Sequence, residues 1–267
     1  MLASALILLH LALFLQWKNI YNKITKNLMG KFVRTLTITY DLEIDNWEVP
    51  LFRGAAVDAI GSSVNMLFHN HTPDNGLRYS YPLIQYKRQG GKACIVAVEQ
   101  GADIIGQFMA SGCKVLKIGE REATCDVAQL RPRRVLVQLW LSPFHYRVSK
   151  WLPLNGKNYE LYMATQDAEE RKALLEGILK GNLLAMLKGL DIWLDGNLTV
   201  RITRLSEPYK LRYKGVDLMA FNADFDSNLS IPAHVGIGRH VSVGFGTITL
   251  QRKREPDKAE TIENNYP

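Results

Sequence analysis

The chain has 267 residues, 47% hydrophobic and 22% charged, with 33 lysines and arginines against 26 acids for a formal charge of +7. Such a length suits one large domain or two small ones, and the composition argues for a packed core and against a disordered chain. Three cysteines, Cys94, Cys113 and Cys125, with no C-x-x-C pair and no histidine at finger spacing, argue against a zinc site or a disulfide framework and fit a reducing cytoplasm.

Residues 1–28 stand apart. Leu2 to Trp17 is interrupted only by Ser4, His10 and Gln16, yet it is shorter than the ~20 residues of an ordinary membrane-spanning helix. It has no basic stretch ahead of it and no small-x-small cleavage site, so it makes a poor secretory signal. Three readings stay open: an upstream mis-assigned start, with the true start at Met29; a real anchor, its following lysines Lys18, Lys23 and Lys26 held in the cytoplasm; or a core helix. Those lysines have no acid beside them, which leaves 30 cations against 26 anions from Met29 onward, a mild excess whose placement matters more than its size.

Residues 29–130 form the first block. Phe32 to Tyr40 is rich in β-formers, and Pro50 can open a helix at its first turn. "LFRGAAVDAIGSSVNML", Leu51 to Leu67, sets Phe52, Ala55, Ala56, Ala59, Ile60, Ser63 and Leu67 at three-to-four spacing, which predicts a short helix with one buried stripe. "YPLIQYKRQGGKACIVAVE" reads as two strands joined at Gly90-Gly91, a dipeptide suited to hairpin turns with positive φ. A second periodic stretch, Ala102 to Ala110, ends at Gly112, and another strand is expected within Lys114 to Leu130. The order β-α-β-β-α-β is the ferredoxin-like unit, a four-stranded antiparallel sheet with both helices on one face.

"RPRR", Arg131 to Arg134, marks the join, and residues 131–251 repeat the plan. "VLVQLWL" predicts a strand. "AEERKALLEGILKGNLLAMLKGL" predicts an amphipathic helix with Leu175, Ile178, Leu179, Leu183, Met186, Leu187 and Leu190 on one face and acids in its first turn. "LTVRITRL" alternates as a half-buried strand does, "GVDLMAFNADF" is its partner, and "TITL" is the last strand. Where a second helix should stand there is "IPAHVGIGRHVSVGFG". The expected fold class is α+β, two tandem ferredoxin-like domains with a C-terminal glycine-rich loop, followed by a polar tail at 252–267.

"GIGRHVSVGFG", Gly236 to Gly246, packs four glycines around an Arg-His pair. Such glycines can be tight turns packed on a sheet. With Arg239, His240 and Ser242 among them, they also offer cationic and hydroxyl donors beside bare backbone N–H groups, which suits a phosphodiester backbone. A nucleotide cofactor is not expected, because the G-K-[ST] of a P-loop is absent and no helix follows to receive a pyrophosphate.

The pattern G-x-G-x-x-x-S-x-G-F-G before the final strand, in a tandem ferredoxin-like chain, resembles the repeat-associated RNA-binding superfamily of CRISPR systems. Within it the chain is similar to the endoribonucleases that cut CRISPR precursor RNA in its repeats. The likeness runs from about Val33 to Leu250 through "VPLFRGA", "LFHNHT", "LRYSYPLIQYK", "SPFHYRVSKWLPLN" and "YKGVDLMAFNADF" to the loop. It implies a reaction without metal or cofactor, in which a ribose 2′-hydroxyl attacks the adjacent phosphate and leaves a cyclic phosphate and a 5′-hydroxyl. The implied partners are CRISPR repeat RNA, other CRISPR-associated proteins and a second copy of the chain, in the cytoplasm and away from membranes.

That reaction needs a base, an acid and positive charge. "FHNHT" supplies His69 and His71 after the first helix, and which of the two is catalytic stays open, as does the plainer reading of a polar loop. "RYSYPLIQYK" adds Tyr79, Tyr81 and Lys87 as helpers and Arg78 for phosphate; an aromatic and basic face can stack bases, although tyrosines also simply pack across sheets. For RNA binding the expected residues are Arg78, Gly236, Gly238, Arg239, His240, Ser242, Gly244 and Gly246. His240 is a rival catalyst whose phosphate-contact role is preferred, His145 and His234 are read as structural, and "RPRR" and "QRKRE" are either solvated charge or an extension of the RNA track. The competing functions are a non-catalytic RNA-binding subunit of an effector complex and a membrane-tethered basic protein.

Overall fold

The computed structural model describes residues 30–60, 81–110 and 115–251. The first half opens with β1 (Lys31–Glu43), a 3-10 turn at Asn46–Glu48, and helix α1 (Val49–Ile60), with Pro50 in its first turn. β2 (Ile84–Gln89) and β3 (Lys92–Val98) follow, then α2 (Gln100–Ala110), a hairpin of β4 (Val115–Ile118) and β5 (Arg121–Thr124), and β6 (Val127–Val137). Gly90 and Gly91 join β2 to β3 with φ of 56° and 87°, the positive values that a two-residue hairpin turn requires.

The four strands lie in the order β2-β3-β1-β6, all antiparallel. Ile38 and Tyr40 of β1, Ile84 and Tyr86 of β2, and Ile95 and Ala97 of β3 face Phe52, Ala55 and Ala56 of α1 and Ile104 and Ile105 of α2 in one core. The stripe predicted on the first helix is present at Phe52, Ala55 and Ala56, whereas Ala59 is exposed and Ser63 and Leu67 lie outside the described residues.

The second half begins at β7 (Leu139–Trp151), continues with α3 (Gly156–Ala164) and α4 (Ala168–Gly189), then β8 (Val200–Leu205), β9 (Tyr209–Tyr213), β10 (Val216–Leu229) and β11 (Thr247–Leu250). The sheet order is β11-β7-β10-β8, with β9 paired to the first part of β10. Taken as first to fourth strands, both sheets have the order 4-1-3-2, so the tandem ferredoxin-like α+β expectation holds. In α4 the predicted face is the buried one, with Leu175, Leu179, Leu183 and Met186 fully enclosed, and Asp167 caps the first turn by accepting from Glu170 N at 2.8 Å.

Several boundaries differ from the sequence reading. "RPRR" lies inside β6, where Arg131 to Arg134 pair with Thr37 to Arg34 of β1. β6 is an edge strand, and arginines with a proline are what such an edge tolerates. "VLVQLWL" is the end of one strand and the start of another, since β6 stops at Val137 and β7 starts at Leu139. "RYSYPLIQYK" enters its strand only at Ile84, because Pro82 brings no N–H to a ladder. α3 and β9 come from segments whose apolar pattern shows neither. Only Tyr162 of α3 is buried, and β9 has no buried residue at all.

The halves interlock. Val33, Val98 and Val137 of the first sheet belong to the core of the second half, and Val243 of the glycine loop belongs to the core of the first. The Lys31 ammonium donates to the carbonyls of Leu190 and Asp191 at 2.9 and 3.3 Å, a cation set where the α4 dipole is negative. Among the described residues no helix is long and apolar enough to cross a membrane.

Candidate nucleic-acid interface

The glycine loop fills the place between β10 and β11 and lies between two edge strands, β2 of the first sheet and β11 of the second. Its first glycine is held from the first half: Gln85 Oε1 accepts from Gly236 N at 2.9 Å, and the Tyr81 hydroxyl donates to Gly236 O at 2.9 Å. Gln85 Nε2 donates back to the Tyr81 hydroxyl at 2.9 Å, which closes the set. At the far end Gly246 N donates to Lys150 O at 3.0 Å and Ile237 N to Gly246 O at 2.9 Å. Between them Val243 is buried in the first half's core and forms a single 3-10 turn with Val241 and Ser242.

Two of the glycines are required. Gly246 has φ +63°, and a Cβ there would stand 1.8 Å from the Ile237 carbonyl oxygen. Gly238 has φ +87° and lies where a Cβ would meet the Trp151 ring and Leu152 O at 3.1 Å. Gly236 and Gly244 are also in close contact, the former with Val241 and the latter with Tyr86 O. The tight-turn reading describes the glycines themselves: Gly236, Gly244 and Gly246 donate their N–H groups within the protein and Ile237, Val241 and Val243 between them are buried, so the polar residues of the segment are what reaches the surface.

Those residues are Arg239, exposed, with His240 and Ser242 half-buried. Arg239 Nη1 donates to Leu154 O at 2.8 Å, which fixes the arm while its charge stays at the surface. His240 is itself left-handed, at φ +55°, and its ring lies 4.6 Å from Tyr213 and 6.0 Å from Phe245 between centroids. Burial, then Arg239 and Lys214, hold its pKa below the ordinary histidine value, which favours the neutral ring. Tyr213 stands at the tip of the β9–β10 hairpin, turned at Lys214 and Gly215 with positive φ. Sequence reasoning assigned that hairpin no role; the Lys-Gly pair between two alternating runs was its signal.

The other expected site residues fall into two groups. His69, His71, Arg78 and Tyr79 lie outside the described residues, as do residues 1–29 and the tail from 252. Tyr81 and Lys87 are described, and both are turned toward the loop. Burial pushes the Tyr81 hydroxyl well above its ordinary value, opposed by its bonds to Gln85 and Gly236, and Gly189 of α4 packs directly against its Cβ. Lys87 is 1% exposed and donates from Nζ to Thr247 Oγ1 at 3.0 Å, tying β2 to β11. Burial lowers its pKa to about 7, Cys94 opposing and Lys150 adding to the shift.

A second positive region lies on the sheet face that carries Lys87. His234, left-handed at φ +66°, has its pKa lowered by burial and then by Lys87, Arg131 and Arg133. Arg131 and Arg133 of "RPRR" thus share one electrostatic neighbourhood with the start of the loop, whereas Arg134 lies over the Phe32 ring. His145 is instead tied to Asp226 at 2.6 Å through Nδ1, with Arg201 on the other carboxylate oxygen at 2.9 Å.

This arrangement has counterparts. A model of the Cas6b N-terminal domain matches residues 31–135 and one of the Cas6b C-terminal domain matches residues 138–251, so the break between them falls where β6 passes into β7. A structure described as that of Cas6b superposes with a TM-score of 0.76 at 26% identity, covering 83% of this chain and all of the other. A second, described as the CRISPR RNA processing endoribonuclease Cas6b, gives 0.64 at 23% identity with the same coverage and speaks for the fold. An uncharacterized protein of Methanocaldococcus jannaschii is 41% identical over 101 residues, 38% of this chain and 67% of that protein. With both of its halves matched in order, the chain belongs to the Cas6b family.

Proposed function

We propose that this protein is an endoribonuclease that binds CRISPR repeat RNA and cuts precursor transcripts within the repeat. The observation that carries the reading is the loop: a glycine segment pinned from both halves, with Arg239 exposed and His240 half-buried beside it, in a member of the Cas6b family. A cation, an imidazole and a hydroxyl at one place are suited to a phosphodiester.

In the proposed reaction the 2′-oxygen attacks the adjacent phosphorus while a base takes its proton. The bond from phosphorus to the 5′-oxygen breaks, and an acid protonates the leaving oxygen, so a 2′,3′-cyclic phosphate and a 5′-hydroxyl result. His71 or His69 is the proposed acid or base, with Tyr79 assigned as a helper and Arg78 to the phosphate. Arg239, His240 and Ser242 are assigned to the phosphate. Tyr81 and Lys87, expected from sequence to act at the RNA, are proposed to act through the loop, because Lys87 is buried, Tyr81 is half-buried and both are already bonded to the loop or to β11.

The test is cleavage of a repeat-containing RNA in excess EDTA by the wild type, His69→Ala and His71→Ala. One cut ending in a cyclic phosphate, lost in at least one variant, is the expected result. Tight binding by the wild type with no cut would replace this reading with that of a non-catalytic RNA-binding subunit.

A further inference from the structure

A cavity of about 370 Å³ opens between the halves, beside the glycine loop. One wall is the 3-10 turn and the start of α1, with Trp47; the other is the β9–β10 hairpin tip, with Arg212, Tyr213 and Lys214; Arg88 and Lys150 lie between. Trp47 is 68% exposed, an unusual place for the largest apolar side chain unless something covers it.

The charges are the second observation. Among the described residues, no carboxylate lines the cavity or forms an ion pair with any of its four cations. Arg88 commits Nε to the Ile44 carbonyl at 2.6 Å. The Lys150 ammonium bonds to Asn46, a neutral partner, and lies on a residue with φ +51°. Burial and the nearby Arg88 both disfavour its charged form. Cations held together without counter-charge are stabilised by an incoming anion.

The third is the mixture in the lining. Trp47, Val49, Pro50, Val243 and Phe245 give the lining apolar surface, and Arg88 and Lys150 are anchored at Ile44 and Asn46, immediately before Trp47 in the chain. An exposed aromatic ring with cations anchored next to it, in a space of this size, suits the base and the phosphate of one nucleotide.

We infer that this cavity receives a single unpaired nucleotide of the bound RNA, its base stacked on Trp47 and its phosphate held by Arg88 and Lys150. The inference rests on the RNA-binding reading given above and adds a fixed position to it: a nucleotide splayed out of the bound strand, and so a determinant of where the RNA lies on the protein. It also explains why the hairpin tip is built of Arg212, Tyr213 and Lys214, since the tip closes the cavity and supports His240 at once.

The experiment uses the full chain and a repeat RNA with one deoxyribose at its cut position. Affinities are measured for the wild type, Trp47→Ala, Trp47→Phe and Arg88→Ala across a salt series, and RNAs carrying 4-thiouridine at successive positions are photo-crosslinked and mapped. Trp47→Ala is expected to bind about tenfold more weakly, while Trp47→Phe keeps most of the affinity. Arg88→Ala is expected to lower the salt slope by about one, and one RNA position should crosslink within residues 46–50 or 211–214. Trp47→Ala and Arg88→Ala binding as the wild type does would overturn the nucleotide site and leave the RNA-binding reading standing. A wild type that fails to bind repeat RNA would overturn both.

Discussion

α2 and the glycine loop occupy the same place in two copies of one plan, between the third and fourth strands of a ferredoxin-like unit, and they are built in opposite ways. α2 meets its backbone needs within itself and covers its own sheet through Ile104 and Ile105. The loop takes its partners from elsewhere: Gln85 and Tyr81 of the first half, and Leu152, Leu154 and Lys150 of the end of β7 and the chain after it. A helix in that slot would set its side chains by its own periodicity, whereas the loop sets Arg239 and His240 by contacts with both halves. Its shape, in return, draws on both halves.

The sharpest way to break this contrast is to add one methyl group to each. In Gly246→Ala the new carbon meets the Ile237 oxygen in a left-handed residue, and the loop must move. A loss of several degrees in Tm and at least a tenfold loss in repeat-RNA affinity are expected, read by calorimetry and titration. Next is Gln85→Leu, which leaves the Gly236 N–H buried without its acceptor. A cost of about 1–3 kcal/mol in denaturant unfolding is expected, together with weaker RNA binding although Gln85 is itself fully buried.

Lys87→Met sharpens the comparison through pH. Between the ordinary lysine value of 10.5 and about 7 the unfolded chain holds a proton that the folded chain releases. Stability therefore falls as pH drops through that window, with the whole penalty present below about pH 7. The variant should lose this slope in unfolding measured from pH 10 to 6. An unchanged slope would mean that the lysine is not enclosed between β2 and β11.

Arg239→Ala should act on binding alone, lowering the salt slope by about one with little change in Tm. The smallest effect belongs to Gly106→Ala in α2, where a Cβ meets nothing within 4 Å. There a gain of about 0.5–1 kcal/mol is expected from helix propensity, with RNA affinity untouched.

What the sequence made legible follows from range. The stripe of α4, the Gly90-Gly91 turn and the alternation of β8 are written in neighbouring residues, and each is found where the pattern puts it. The role of Tyr81 and Lys87 was not legible. Their partners, Gly236 and Thr247, lie 155 and 160 residues away, so a tyrosine and a lysine read as surface groups when they are fastenings. The same reason hid Trp47 and the hairpin tip, which meet only across the halves. "RPRR" misled in another way: a charge run resembles a linker, yet an edge strand also needs charge. For the loop, the glycines announced a special backbone; which half would hold it was not written locally.

The central claim is that RNA lies on the glycine loop and the hairpin tip beside it. Hydrogen exchange of the wild type, with and without a repeat RNA made uncleavable by a single deoxyribose, tests it most directly. Slowed exchange in residues 236–246 and 209–216, with α2 unchanged, is the predicted result. Protection elsewhere in a saturated complex, with both segments exchanging as in the free protein, would contradict it.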